Sequence, residues 1–149
     1  MTRRIALALM VAVVVLGATV AEAAVKSGTY KGPIKKAGNI SVKVDANKQV
    51  VKIVRTGFKL KCSNGKTATI TKSTTTGTIP VDSEGRFLIK ANQDDLARGH
   101  YFRVSGTINS PKASGTVRED QRFTPAGVAS GDGSVKCTSG KLTWTAKRQ

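Results

Sequence analysis

Apolar residues in this chain recur at every second position, and almost nowhere at the spacing of a helix. Ile40, Val42 and Val44 alternate with Ser41, Lys43 and Asp45, and Phe102, Val104, Gly106 and Ile108 form a second such run. A two-residue period puts one set of side chains on a buried face and the other in water, as in a strand of an antiparallel sheet. Clusters of turn-forming residues bound each run: Gly38-Asn39, Asp45 to Lys48, Ser63-Asn64-Gly65, Asp82 to Gly85, Ser110-Pro111 and Thr138 to Lys141. These residues supply the backbone geometries that join neighbouring strands, Asn-Gly above all. The pattern predicts an all-β fold of about 8 to 10 short strands, an antiparallel meander closed into a barrel, with a β-sandwich as the alternative.

Some local features refine that expectation. In the long run from Gln49 to Cys62, Val51 and Ile53 share one phase and Phe58, Leu60 and Cys62 the other, so a bulge or bend is expected at Thr56-Gly57. Lys66 to Lys72 runs back, and the polar segment Ser73 to Gly77 separates it from Ile79 and Val81. Asn92 to Gly99 is the one candidate for a short helical turn or functional loop, and the Gly-rich stretch Thr124 to Ser134 is expected to be the most mobile loop. The aromatic residues are few, so Val, Ile and Leu must build most of the core, with Trp144 as its large member near the cysteines.

The N-terminus follows a different logic. Arg3 and Arg4 precede an uncharged apolar run from Ile5 to Val20, and Ala21-Glu22-Ala23 places small residues where a peptidase cuts. This is the plan of an export signal over residues 1–23, followed by one secreted β-domain over 24–149. The apolar run is shorter than the roughly 20 residues that span a bilayer, and no later segment is apolar for long enough, so no transmembrane segment is expected after cleavage. Removing Arg3, Arg4 and Glu22 from 25 basic and 9 acidic residues leaves 23 and 8, a net charge of about +15. Cys62 and Cys137 are the only cysteines, and in an oxidising compartment they pair with each other. The loop so closed, about 75 residues, stabilises the fold by roughly 4 to 5 kcal/mol in the chain-entropy treatment. Localisation is expected to be secreted, extracellular or cell-envelope associated.

Several segments together carry a resemblance: Gly28-Thr29-Tyr30-Lys31-Gly32, Ile40-Ser41-Val42-Lys43-Val44, Cys62-Ser63-Asn64-Gly65, Gly106-Thr107-Ile108 with Ala113-Ser114-Gly115-Thr116-Val117, Cys137-Thr138-Ser139-Gly140 and Trp144-Thr145-Ala146. Their order resembles a group of small exported bacterial β-domain proteins, common in actinobacteria and uncharacterised. The resemblance implies fold and export, and brings no activity or catalytic residue with it.

The residues offer little for catalysis. His100 is the only histidine, at the start of a strand, where a solvated ring is expected. No serine stands in a nucleophile motif, and both cysteines are committed to each other. Asp94-Asp95 beside Asn92 and Gln93 lacks the full pattern of a calcium loop, so neither a metal nor another cofactor is expected. Lysines crowd the first half of the domain and alternate with apolar residues; Lys43, Lys59 and Lys61 are the clearest members of an outward face. Such a face suits an anionic cell-wall polymer or lipid surface, while the absence of exposed aromatic runs argues against specific nucleic-acid recognition. The expectation is a noncatalytic secreted or envelope-associated β-domain. The rival readings are a secreted hydrolase around His100, Asp94 and Asp95, and a protein-binding or inhibitor module using the loop after Phe123.

Overall fold

The computed structural model describes residues 24–149; the expected export signal lies outside the described residues. Nine strands and one short helix follow in order: β1 (Gly28–Pro33), β2 (Asn39–Val44), β3 (Gln49–Cys62), β4 (Thr67–Pro80), β5 (Arg86–Lys90), α1 (Gln93–Ala97), β6 (His100–Asn109), β7 (Lys112–Phe123), β8 (Val135–Thr138) and β9 (Leu142–Arg148). All pairings are antiparallel. Strand β3 pairs with β2, β2 with β1, β1 with β9 and β9 with β7, and β8 then joins β7 back to β3. The result is a closed barrel of six strands, from which β4 extends on one side and β6 with β5 on the other. The fold is thus the all-β barrel rather than the sandwich.

The long strands β3 and β7 make closure possible, because each meets two partners in succession along one edge. On β3 these are β2 and then, at Lys61 and Cys62, β8. On β7 they are β9 as far as Val117, and then β8 from Asp120 to Phe123. Cys62 and Cys137 are direct cross-strand partners and form the disulfide at this junction, a bond compatible with an oxidising extracellular location.

Gly57 resolves the phase change in β3. Ile53 and Arg55 are buried before it, Phe58 and Leu60 after it, and its φ of 73° is one that a side chain rarely permits. Strand β4 turns over at the same level, since Ser73 and Thr75 face inward on one side and Ile70 and Ala68 on the other. The ladder itself stays in step from Arg55↔Ser73 to Phe58↔Ile70. The bend expected at this glycine is therefore present, but the register irregularities of β3 lie beside Val51, which leaves Val50 rather than Val51 in the core. Ser73 to Gly77 is not a separator: it lies inside one continuous strand of 14 residues. Threonine's branched Cβ suits a pleated, half-exposed edge, and β4 is such an edge, paired along its length with β3 alone.

Tyr30, Ile40, Val42, Val44, Val50, Ile53, Phe58, Val104, Ile108 and Trp144 form the centre of the core. Gly106 makes room for the indole, since a Cβ there would lie 2.5 Å from Trp144 Cζ2. Trp144 is in register with Gly115, six residues along β7 from the Gln121 that faces Cys137. At about 3.3 Å per residue the indole's strand position is roughly 20 Å from the disulfide, not beside it.

Candidate functional site

The strand register gathers lysines that are scattered in sequence. Lys112 on β7 opposes Lys147 on β9, and Lys147 opposes Lys31 on β1. Lys31 opposes Ser41 on β2, so Lys43, two residues further on, is its diagonal neighbour, and Lys43 directly opposes Lys52 on β3. All five are exposed, each next in sequence to an inward-facing residue such as Tyr30, Val42, Ile53, Ala113 or Ala146. They form a band across five neighbouring strands, which at about 4.8 Å per strand runs roughly 20 Å around the barrel. None has an acidic cross-strand partner; the other partners are Thr29, Ser41, Thr76 and Asn109. Where Lys31, Lys147 and Lys112 meet, the surface is hollowed into a groove of about 630 Å3 with no carboxylate side chain in its lining.

Lys43 belongs to this band, but Lys59 and Lys61 do not. They are exposed on β3 beyond the bend at Gly57, seven and nine residues from Lys52, and face Thr69 and Thr67 of β4. The expected single face of Lys43, Lys59 and Lys61 is therefore divided by roughly 23 Å or more of strand. Lys147 and Lys112 are far from Lys31 in sequence, and only the β1–β9–β7 order brings them together.

A second polar site lies at the mouth of the barrel where β8 closes it. Arg55 and Glu119 are both wholly buried, with Arg55 Nε 3.1 Å from Glu119 Oε2. The atoms are close enough for a strong Coulombic contact but poorly aligned for a hydrogen bond, and Arg55 Nη1 has no protein acceptor. Arg55 Nη2 donates to Ser73 Oγ, and its guanidinium lies 4.7 Å from the centre of the Phe102 ring. Glu119 Oε1 is 2.9 Å from His100 Nε2. Burial is the largest influence on Glu119 and would raise its pKa, but the His100 hydrogen bond and the Arg55 charge together outweigh it, so the carboxyl titrates below its ordinary value. Burial pulls Arg55 below its ordinary range against the opposing effect of Glu119, and the guanidinium remains charged.

These two buried charges are legible in the alternation once the core phase is known. Arg55 follows Ile53 by two on β3, and Glu119 follows Ala113, Gly115 and Val117 in steps of two on β7. Arg55 is thus no part of the outward basic surface. His100 stands at the start of a strand as expected, yet its ring is 24% exposed and anchored rather than free in solvent.

The acidic pair beside α1 has a local role. Asn92 Oδ1 accepts from Asp95 N and Asp95 Oδ2 accepts from Asn92 N, a capping box that satisfies the start of this single turn. The Gly-rich loop folds back on α1 through Gly131 N to Ala97 O, and Ser130 N donates to Arg122 O. Among the described residues no cluster of three or more His, Cys, Asp or Glu is placed to hold a metal ion, and no helix is long and apolar enough to cross a membrane. No protein family, curated protein or solved structure matches the chain.

Proposed function

We propose that this protein is a noncatalytic, exported binder of a linear anionic polymer of the cell envelope, held across the band formed by Lys112, Lys147, Lys31, Lys43 and Lys52. The observation that carries this reading is the uninterrupted register Lys112↔Lys147↔Lys31. Like charges directly opposite one another destabilise a sheet, so three in a row work against folding and are compensated when a polyanion lies over them. A solubility device has no need of adjacent placement; dispersed lysines protect a surface at lower cost.

A polymer suits this surface better than a bilayer. The band is flanked by threonine, serine and asparagine and has no exposed aromatic or large aliphatic residue to enter a membrane interface. The hydrolase reading gains a carboxylate partner for His100 in Glu119, but among the described residues no hydroxyl or thiol side chain is hydrogen-bonded to the ring, so no nucleophile stands activated beside it.

The test is equilibrium binding of poly(glycerol phosphate) to the oxidised protein and to two variants, Lys31→Gln/Lys112→Gln/Lys147→Gln and Lys59→Gln/Lys61→Gln. At about 1 kcal/mol per contacting lysine, the first variant binds roughly 100-fold more weakly, while the second stays within a few-fold of the parent. Equal losses in the two variants overturn the assignment to the band, and stronger binding to phosphatidylglycerol vesicles than to the polymer overturns the choice of partner.

A further inference from the structure

A second group of cations is brought together on one face by the register of β5, β6, β7 and β8. Ile89, Phe102, Val117, Glu119 and Cys137 turn inward. The residues that alternate with them, Lys90, Arg103, Arg118, Arg122 and Lys136, turn outward and are exposed. Lys90 directly opposes Arg103, and Arg103 directly opposes Arg118. Arg122 directly opposes Lys136, and Lys61 on β3, which opposes Thr138 two residues further along β8, is the diagonal neighbour of Lys136. From β5 to β3 the group crosses roughly 19 Å of sheet, and Arg118 to Arg122 adds roughly 13 Å along β7.

Asp120 is the one acidic residue at the outward positions of β5 to β8, and it is already held by Arg118 Nε at 2.8 Å and by Thr138 Oγ1. Among the described residues Lys61, Lys90, Arg103, Arg122 and Lys136 form no ion pair. Opposed like charges weaken a sheet, so two such rows on one face are compensated when a ligand supplies negative charge.

The composition of this face differs from that of the lysine band. The band is built of lysine and has no large apolar residue, whereas Arg103, Arg118 and Arg122 here come with Leu88, Leu96 and Tyr101. Tyr101 lies between the two rows, with the Arg118 guanidinium 6.0 Å from its ring centre. Leu88 is the outward residue before Lys90 on β5, and Leu96 lines a cleft of about 650 Å3 together with Tyr101, Arg118, Arg122 and Lys136. The two leucines are 45% and 48% exposed, and water is a poor environment for both. Arginine forks pair with planar carboxylates through two hydrogen bonds, and arginine and tyrosine are enriched in protein interfaces from which lysine is depleted.

We propose that this face docks an acidic segment of a partner protein, with Arg103 and Arg122 meeting its carboxylates and Leu88, Tyr101 and Leu96 meeting its apolar side chains. An extended segment of about six residues crosses the face. The face is separate from the lysine band: Lys112 and Arg118 are six residues apart on β7, roughly 20 Å, with Ser114 and Thr116 at the outward positions between them. One barrel thereby carries a polymer site and a protein site.

Fluorescence anisotropy of two labelled octapeptides, octaglutamate and one that alternates glutamate with tyrosine, tests the proposal on the purified, oxidised protein. The alternating peptide, with half the carboxylates, binds about threefold or more tightly than octaglutamate. Lys90→Gln/Arg103→Gln/Lys136→Gln, three exposed changes that break no ion pair, weakens its binding about tenfold or more, and Leu88→Ser/Leu96→Ser weakens it about threefold. Lys31→Gln/Lys112→Gln/Lys147→Gln removes the same amount of charge and leaves peptide binding within about twofold of the parent. Octaglutamate binding as tightly as the alternating peptide overturns the choice of a protein partner in favour of a bare polyanion. Equal losses in the two charge variants, or no binding of either peptide, overturn the assignment to this face, while polymer binding by the band is read separately with poly(glycerol phosphate).

Discussion

Replacing Glu119 with leucine removes one half of a buried ion pair and leaves Arg55 charged in the protein interior. At 3.1 Å the attraction between the two groups is about 5 kcal/mol for an effective dielectric of about 20, and burial of each ion costs several kcal/mol, so the intact pair contributes close to nothing net. Once the carboxylate is gone, the desolvation of Arg55 is uncompensated and His100 also loses its anchor. Glu119→Leu should therefore lower stability by about 3 to 5 kcal/mol, as should Arg55→Met, whereas the double variant should lie within about 1 to 2 kcal/mol of the parent. Urea denaturation followed by tryptophan fluorescence is a suitable assay, since Trp144 is the only tryptophan and is buried in the core. With an m-value of about 1.5 kcal/mol/M, each single variant shifts the midpoint down by roughly 2 to 3 M. Single variants that cost less than about 1 kcal/mol, or a double variant as unstable as the two single losses added, would refute the reasoning that the two charges compensate each other.

Other consequences are equally direct. Because Glu119 in the folded state titrates below its ordinary value of 4.5, its stabilisation is full above that pH and is lost as the pH falls through the folded value; acid titration of stability should be steeper for the parent than for Glu119→Gln. Gly106→Ala places a Cβ 2.5 Å from Trp144 and 2.9 Å from Phe87, and is expected to cost about 1 to 3 kcal/mol in thermal or urea unfolding with a changed near-ultraviolet dichroism signal. Cys62→Ser/Cys137→Ser releases a loop of 75 residues and should cost about 4 to 5 kcal/mol; a loss below about 1 kcal/mol would show that the barrel closes without the bond.

The strands were legible because their signal is local. Alternation such as Ile40-Val42-Val44 and turns such as Ser63-Asn64-Gly65 are set within a few residues, and Asp82 to Gly85 and Thr138 to Lys141 turn the chain where their composition indicates. Ser73 to Gly77 was not legible, because a polar β-branched run reads equally as linker or as edge strand until its partner is known. The lysine band was hidden for a different reason. Lys31, Lys112 and Lys147 become neighbours only through the pairing of β1 with β9 and of β9 with β7, contacts between distant parts of the chain that composition does not encode. The reverse holds for Lys59 and Lys61: their alternation is genuine, but Gly57 turns the strand over and separates them from Lys43. Arg55 and Glu119 show how a charge in the apolar phase of a strand can mark a buried partner on another strand.

Joint action of the lysines is read most directly from the salt dependence of polymer binding. Each lysine that displaces a counterion from a flexible polyanion contributes about 0.7 to the slope of log K against log salt concentration, by analogy with single-stranded nucleic acids. Lys31→Gln/Lys112→Gln/Lys147→Gln should therefore reduce the magnitude of the slope for poly(glycerol phosphate) by about 2 relative to the parent. An unchanged slope would contradict the account, because it would mean that these three lysines do not touch the polymer.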